Sequence, residues 1–260
     1  MDTLMAVRYA KEQGAKVVAI CNTRGATIPR ESDAAIYLHV GPEIAVASTK
    51  AYLGQIAACY LLGLFLAQVR GNLYGDEIEA IMRDLEEIPD KIQEVLDRSG
   101  QVEKLARDMV DATSVLFLGR HVGFPTALEG ALKLKEIAYI HAEGFAAGEL
   151  KHGPIALVEE GQPVFIVVPS PRGRDSLHAK VVSNIQEVRA RGAFTLVIAE
   201  EGDTDVEPYA DVVIRYPETR TLFAPLLTII PLQIFACELA TAKGLDVDQP
   251  RNLAKSVTVE

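Results

Sequence analysis

Glu129, Lys133 and Glu136 recur at i, i+4 and i+7 within EGALKLKEIAYIHAEGFAAGELKHGP, residues 129–154. A helix over this stretch aligns all three along one stripe. By pattern alone such a stripe is a solvated face, and a Lys133–Glu136 surface pair is worth about a few tenths of a kcal/mol. The residues downstream argue for more. The stripe runs into Ala146-Ala147-Gly148-Glu149 and then Lys151-His152-Gly153-Pro154. Lysines, several carboxylates and an imidazole on one helix and its exit loop suit proton transfer beside an anionic substrate. Leu128, Leu132, Leu134, Ile137 and Ile140 supply the apolar contacts that seat the helix. His141 reads as a packed helix-end histidine, and His39, His121 and His178 carry no motif.

A second unusual stretch closes the chain, DQPRNLAKSVTVE at residues 248–260. A tail lysine is usually solvated, but Val257 and Val259 allow this tail to dock as a strand. Together the two motifs resemble the isomerase half of the glucosamine-6-phosphate synthase family, the glutamine:fructose-6-phosphate aminotransferases, which is built from sugar-isomerase (SIS) domains. The similarity runs the length of the chain. It implies a sugar-phosphate substrate and aldose–ketose chemistry, with Glu136 as the carboxylate that shuttles a proton between C1 and C2. Lys133 then positions or polarises the sugar, and Glu129 either contacts it or orients Lys133. His152, by resemblance, reaches the neighbouring subunit's site in a homodimer and serves ring opening, for which a neutral imidazole is suited; the alternative is a loop histidine with no role. The tail wraps over the active site, Ala254 offers a backbone contact, and Lys255 meets the open-chain carbonyl, as a Schiff base or as a stabiliser of oxyanion charge. Val46 and Ser48 contact the sugar-phosphate by the same resemblance, although Ser48 and Thr49 read equally well as N-caps. No cofactor is implied.

The elements that must position these residues form an α/β pattern. Helices are expected at Asp2 to Gln13, Thr49 to Arg70, Asp76 to Arg98, Gln101 to Asp111, from Leu177 to a stop at Gly192, and Leu222 to Ala242, the last bent by Pro225 and Pro231. Strands are expected at Lys16 to Cys21, Ala35 to Val40, Ser114 to Leu118, Val164 to Val168, Phe194 to Ala199 and Asp211 to Tyr216. Two windows match. GAKVVAICN begins at Gly14 and ESDAAIYLH follows with Asp33; GAFTLVIAE begins at Gly192 and YADVVIRYP follows with Asp211, at the same Gly-to-Asp step. Each second strand is trailed by Pro-Glu, Pro42-Glu43 and Pro217-Glu218, and then by a long apolar helix. This is an internal duplication of a strand–helix–strand unit. It gives two SIS-type doubly wound parallel-sheet domains: 1–72, a helical connector 73–112, 113–243, and a tail 244–260 over the active site. The first copy lacks two N-terminal strands and the loop joining strand to helix, where a phosphate cradle sits in open α/β sheets. The resemblance adds that this family's Ser-Gln-Ser-Gly-Glu-Thr phosphate loop, an earlier Cys-Gly-Thr-Ser segment and an N-terminal glutaminase domain are missing. Either the product is incomplete or its start lies at an internal methionine, the second being favoured. Very weak or absent synthase activity is expected of the chain alone.

A formal charge of −10 over 260 residues argues against a general nucleic-acid or anionic-membrane surface. A 49% apolar content suffices for packed cores. Cys21, Cys59 and Cys237 read as buried thiols, and no metal-ligand spacing is present. The stretch from Ala45 to Val69, broken by Ser48, Thr49, Lys50 and Gln55, reads as a buried core helix, and the chain as a cytoplasmic one. Two rivals stand beside the enzyme: a non-catalytic sugar-phosphate sensor, for which no DNA-binding helix pattern is present, and a structural fragment that binds no ligand.

Overall fold

A computed structural model describes residues 1–172 and 177–255. The chain divides into two compact units, residues 1–80 with 248–260, and residues 81–247.

The first unit opens with α1 (Asp2–Glu12), β1 (Val18–Cys21), the short α2 (Thr27–Glu31) and β2 (Ala34–Tyr37), followed by α3 (Lys50–Val69). β1 and β2 pair in parallel as a two-stranded sheet. The helix α4 (Gly75–Glu86) begins in this unit and ends in the next.

The second unit adds α5 (Ile88–Asp97), α6 (Gly100–Asp108), β3 (Ser114–Gly119), α7 (Gly123–Lys133), β4 (His141–Ala146), β5 (Pro163–Val167), α8 (His178–Arg189), β6 (Phe194–Glu200), β7 (Val212–Tyr216) and α9 (Ala224–Ala242). Its five strands lie in the order β4-β3-β5-β6-β7, and every pairing is parallel. β3, β5 and β6 are near-continuous apolar runs buried on both faces, as helices packed on either side of a parallel sheet require. Phe117 of β3 stacks on Phe165 of β5 at 5.2 Å, and Phe165 meets Phe235 of α9 edge-on at 4.8 Å. Gly130 lets α7 approach this layer: a Cβ there would lie 2.6 Å from Leu232 and 3.1 Å from Phe117.

The duplication expected from the sequence holds at the level of single bonds. Asp33 Oδ2 accepts the backbone N–H of Val17 at 2.9 Å, and Asp211 Oδ2 accepts that of Thr195 at 2.8 Å. Asp33 N–H donates back to Val17 O, and Asp211 N–H to Thr195 O. Val18 opposes Ala34 and Leu196 opposes Val212, the same register counted from each glycine. Gly14 and Gly192, which end the preceding helices, both take positive φ, +80° and +87°.

Several expectations need correction. α3 is not a buried core helix, because only Ala51, Ala58 and Leu64 are buried while Leu61, Phe65, Leu66 and Val69 face outward. Both α3 and α9 are long and apolar enough to cross a membrane, but α9 is mostly buried inside its unit and α3 is not. The thiols are not buried either: Cys59 is exposed, and Cys21 and Cys237 are intermediate. Leu128 and Leu132 are exposed although Leu134, Ile137 and Ile140 pack inside. His141 opens the edge strand β4, solvent-exposed, rather than capping a helix; the mixed sequence HAEGFA hid that strand. The helix expected from Asp76 to Arg98 breaks at Glu87, with Pro89 in the first turn of α5. Likewise Pro225 sits in the first turn of α9, where a missing N–H costs nothing, and only Pro231 lies within the helix. Gly173 and the expected strand at Val257 and Val259 lie outside the described residues.

Candidate active site

In the second unit, β3 ends at Gly119 and turns tightly into α7: a Cβ on Gly119 would sit 2.2 Å from the carbonyl oxygen of Gly123. This turn aims α7 back across the sheet. Its last residue, Lys133, is 3% exposed and lies between two carboxylates, 3.1 Å from Glu129 Oε1 and 2.7 Å from Glu136 Oε2. The stripe is therefore a desolvated charge cluster and not a solvated face. A buried lysine needs such partners, since an unpaired ammonium in this position is strongly disfavoured. Glu136 Oε2 is itself buried, close enough to pair its charge with Lys133 but outside hydrogen-bonding geometry.

The helix changes type immediately after Lys133. Leu134–Ala138 form a π-helical turn closed by Tyr139 in the left-handed conformation, φ 55°. π turns widen the helix locally and are frequent at functional sites. β4 then leads into the 3₁₀ segment Ala147–His152. Lys151 ties that segment to α8 through Glu187, 2.8 Å away. Burial opposes ionisation of Glu187, but the Lys151 ammonium and the Asn184 amide outweigh it and hold the carboxyl below its ordinary value. His152, next to this tie, is exposed and forms no hydrogen bond with the stripe among the described residues.

The first unit gathers a second set. The tail returns to the segment ahead of α3, where Val46 N–H donates to Asp248 O at 3.0 Å. Lys255 Nζ donates to Glu43 Oε2 at 2.8 Å, to Ala45 O at 2.9 Å and to Val46 O at 3.5 Å. Val46 and Lys255 are thereby adjacent; Ser48 is half-buried nearby in sequence, and Ala254 is exposed. Glu43 is a site residue that motif reasoning missed. Its Oε1 accepts the backbone N–H groups of Thr49 and Ala51, so it caps α3 in place of the expected Ser48 or Thr49, neither of which makes a side-chain cap. Burial disfavours the Glu43 carboxylate, yet the Lys255 ammonium and the two N–H donors prevail and bring its pKa down to about 2. The only signal for Glu43 in the sequence is its place in the repeated Pro-Glu pair.

The sequence and this arrangement match known proteins. The SIS domain family model covers residues 1–64 and 108–243. The chain belongs to the SIS-domain family. Its whole length aligns with proteins called glutamine–fructose-6-phosphate aminotransferase (isomerising), at 75% identity in Corynebacterium diphtheriae and 68% in Streptomyces coelicolor, covering 42% of each relative. Among solved structures, the C-terminal domain of glucosamine-fructose-6-phosphate aminotransferase from Francisella tularensis is 37% identical with a TM-score of 0.90, over 96% of this chain and 70% of that one. Within the SIS family the chain thus belongs with the C-terminal portion of these aminotransferases.

Proposed function

We propose that this chain supplies the isomerase and amination chemistry by which glucosamine 6-phosphate is made from fructose 6-phosphate and glutamine-derived ammonia. The observation that carries the reading is the buried Lys133 held between the Glu129 and Glu136 carboxylates, 3.1 and 2.7 Å away. A carboxylate in that state can take a proton from one sugar carbon and return it to the next. Lys133 compensates the charge and fixes the carboxylate, and Glu129 orients Lys133. The bonding of Lys255 Nζ to a carboxylate and two carbonyls, all acceptors, favours an ammonium that stabilises developing oxyanion charge over a Schiff-base amine. Val46, Ser48 and Ala254 contact the sugar-phosphate. His152 acts in ring opening in the site of a second subunit, with the chain as a homodimer. Ammonia is supplied by a glutaminase, and little or no product is expected from glutamine in its absence.

Deuterium exchange tests this directly. Fructose 6-phosphate incubated with the chain in D₂O should acquire deuterium at C1, read by NMR, and Glu136→Gln should abolish the incorporation while preserving the fold by circular dichroism. Exchange that is undiminished in Glu136→Gln removes Glu136 from the reaction. No exchange by the unaltered chain, together with no thermal shift at millimolar glucosamine 6-phosphate, leaves a structural fragment.

A further inference from the structure

The carboxyl ends of β5, β6 and β7 open onto a cleft of about 870 Å³, wholly within the second unit and separate from the Glu129–Lys133–Glu136 stripe. In open parallel sheets this is the end where ligands sit. One buried polar atom in the cleft wall has no hydrogen-bond partner among the described residues, Oγ1 of Thr219, 9% exposed; behind the wall, Oε1 of Glu200, a residue 2% exposed at the end of β6, accepts from Arg172. An orphaned buried hydroxyl costs free energy, and one in the wall of a cavity marks a place where a ligand hydroxyl can bond.

The charges around the cleft say what else that ligand carries. Arg172, Arg220 and Lys91 line it. Arg172 bonds the Glu200 carboxylate, which is immobile in the core, and also Glu218, which is mostly exposed. Arg220 pairs with Asp84, which is half-exposed, and Lys91 with Glu87, which is mostly exposed. Exposed pairs of this kind hold weakly. Glu218 and Asp84 can therefore turn into solvent and give up their guanidinium partners to a phosphate, which arginine binds in a bidentate fashion. Glu200 stays and keeps Arg172 in place.

We propose that this cleft is a second sugar-phosphate site, in which a ligand hydroxyl engages Thr219 Oγ1 and the phosphate takes Arg172 and Arg220. It does not depend on the role assigned to Glu136. The test is an NMR titration of the full 260-residue chain, methyl-labelled at isoleucine and leucine, with fructose 6-phosphate as the probe. Ile81 and Leu222 line the cleft, while Leu134 and Ile137 flank Glu136. The Ile81 and Leu222 signals should shift saturably, with the same midpoint in Glu136→Gln. Thr219→Val should weaken the midpoint by about tenfold, the loss of one buried hydrogen bond, and Arg172→Ala should weaken it further. Absence of saturable shifts at Ile81 and Leu222 overturns the proposal. So does equal affinity for inorganic phosphate, which makes the cleft a simple anion site, or equal affinity for unphosphorylated fructose. Should Thr219→Val disturb the fold, Thr219→Ser, which keeps the hydroxyl, must bind as the unaltered chain does; weakened binding in a folded Thr219→Ser also overturns it.

Discussion

α3 and α9 are the same kind of helix in sequence and opposite kinds in structure. Each is long, nearly uncharged and apolar on all sides, and each follows the second strand of a repeated unit. α9 is enclosed by α5, α6, α7 and the five-stranded sheet, and thirteen of its residues are buried, Phe235 completely. α3 accompanies a two-stranded sheet and buries three, leaving Phe65 59% exposed. A helix apolar all round is built to be surrounded. Burial is thus decided by which elements surround the helix, and composition alone does not report it.

The largest expected difference tests this contrast. Phe235→Ala should cost about 3–5 kcal/mol, the usual loss for a fully packed aromatic, whereas Phe65→Ala should change stability by no more than about 0.5 kcal/mol. Urea unfolding of the two variants measures both, and comparable losses would mean that α3 is enclosed in solution.

The two lysine clusters give the next contrast. Lys133→Met strands two largely buried carboxylates and should destabilise by about 3 kcal/mol. Lys255→Met removes a half-exposed contact and should cost about 1 kcal/mol or less. Equal costs, from the same unfolding curves, would erase the distinction between a core charge cluster and a docked tail.

Third, the matched aspartates can be compared. Asp211→Ala breaks part-buried bonds to the Thr195 N–H and hydroxyl and should cost about 1.5–3 kcal/mol. Asp33→Ala breaks the matching bond to the half-buried Val17, with no buried hydroxyl to strand, and should cost clearly less. A larger loss for Asp33→Ala in thermal melts would contradict the ranking by burial.

A fourth contrast is a pH dependence. Because Glu43 is held at about 2, below its ordinary value of 4.5, its contribution is complete above pH 4.5 and disappears as pH falls through about 2. The stability gap between the unaltered chain and Glu43→Gln should therefore be constant near neutrality and close between pH 4.5 and 2. A gap that instead grows on acidification would reverse the sign of the linkage.

Much of this fold was legible because its signals are local. The apolar runs of β3, β5 and β6, the glycine stops and the repeated Gly-to-Asp spacing each follow from short-range chemistry, and the structure adds matching bonds at the two aspartates that the spacing alone did not announce. β4 escaped because an edge strand need not alternate cleanly, and HAEGFA mixes charge, glycine and aromatic. The stripe of Glu129, Lys133 and Glu136 was visible as a spacing; its desolvation was not, since burial of Lys133 depends on neighbours distant in sequence. Glu43 shows the same limit: nothing adjacent to it announces that it caps α3 and holds a lysine from the tail.

The π turn after Lys133 also acts as a phase shifter. A five-residue turn changes the angular position of every side chain that follows it. Glu129 and Lys133 are therefore indexed by one helical phase, and Glu136 and Ile137 by another. Removing a single residue from that turn would restore one regular spiral, and Glu136 and Ile137 would rotate relative to Glu129 and Lys133, parting the carboxylate from its lysine.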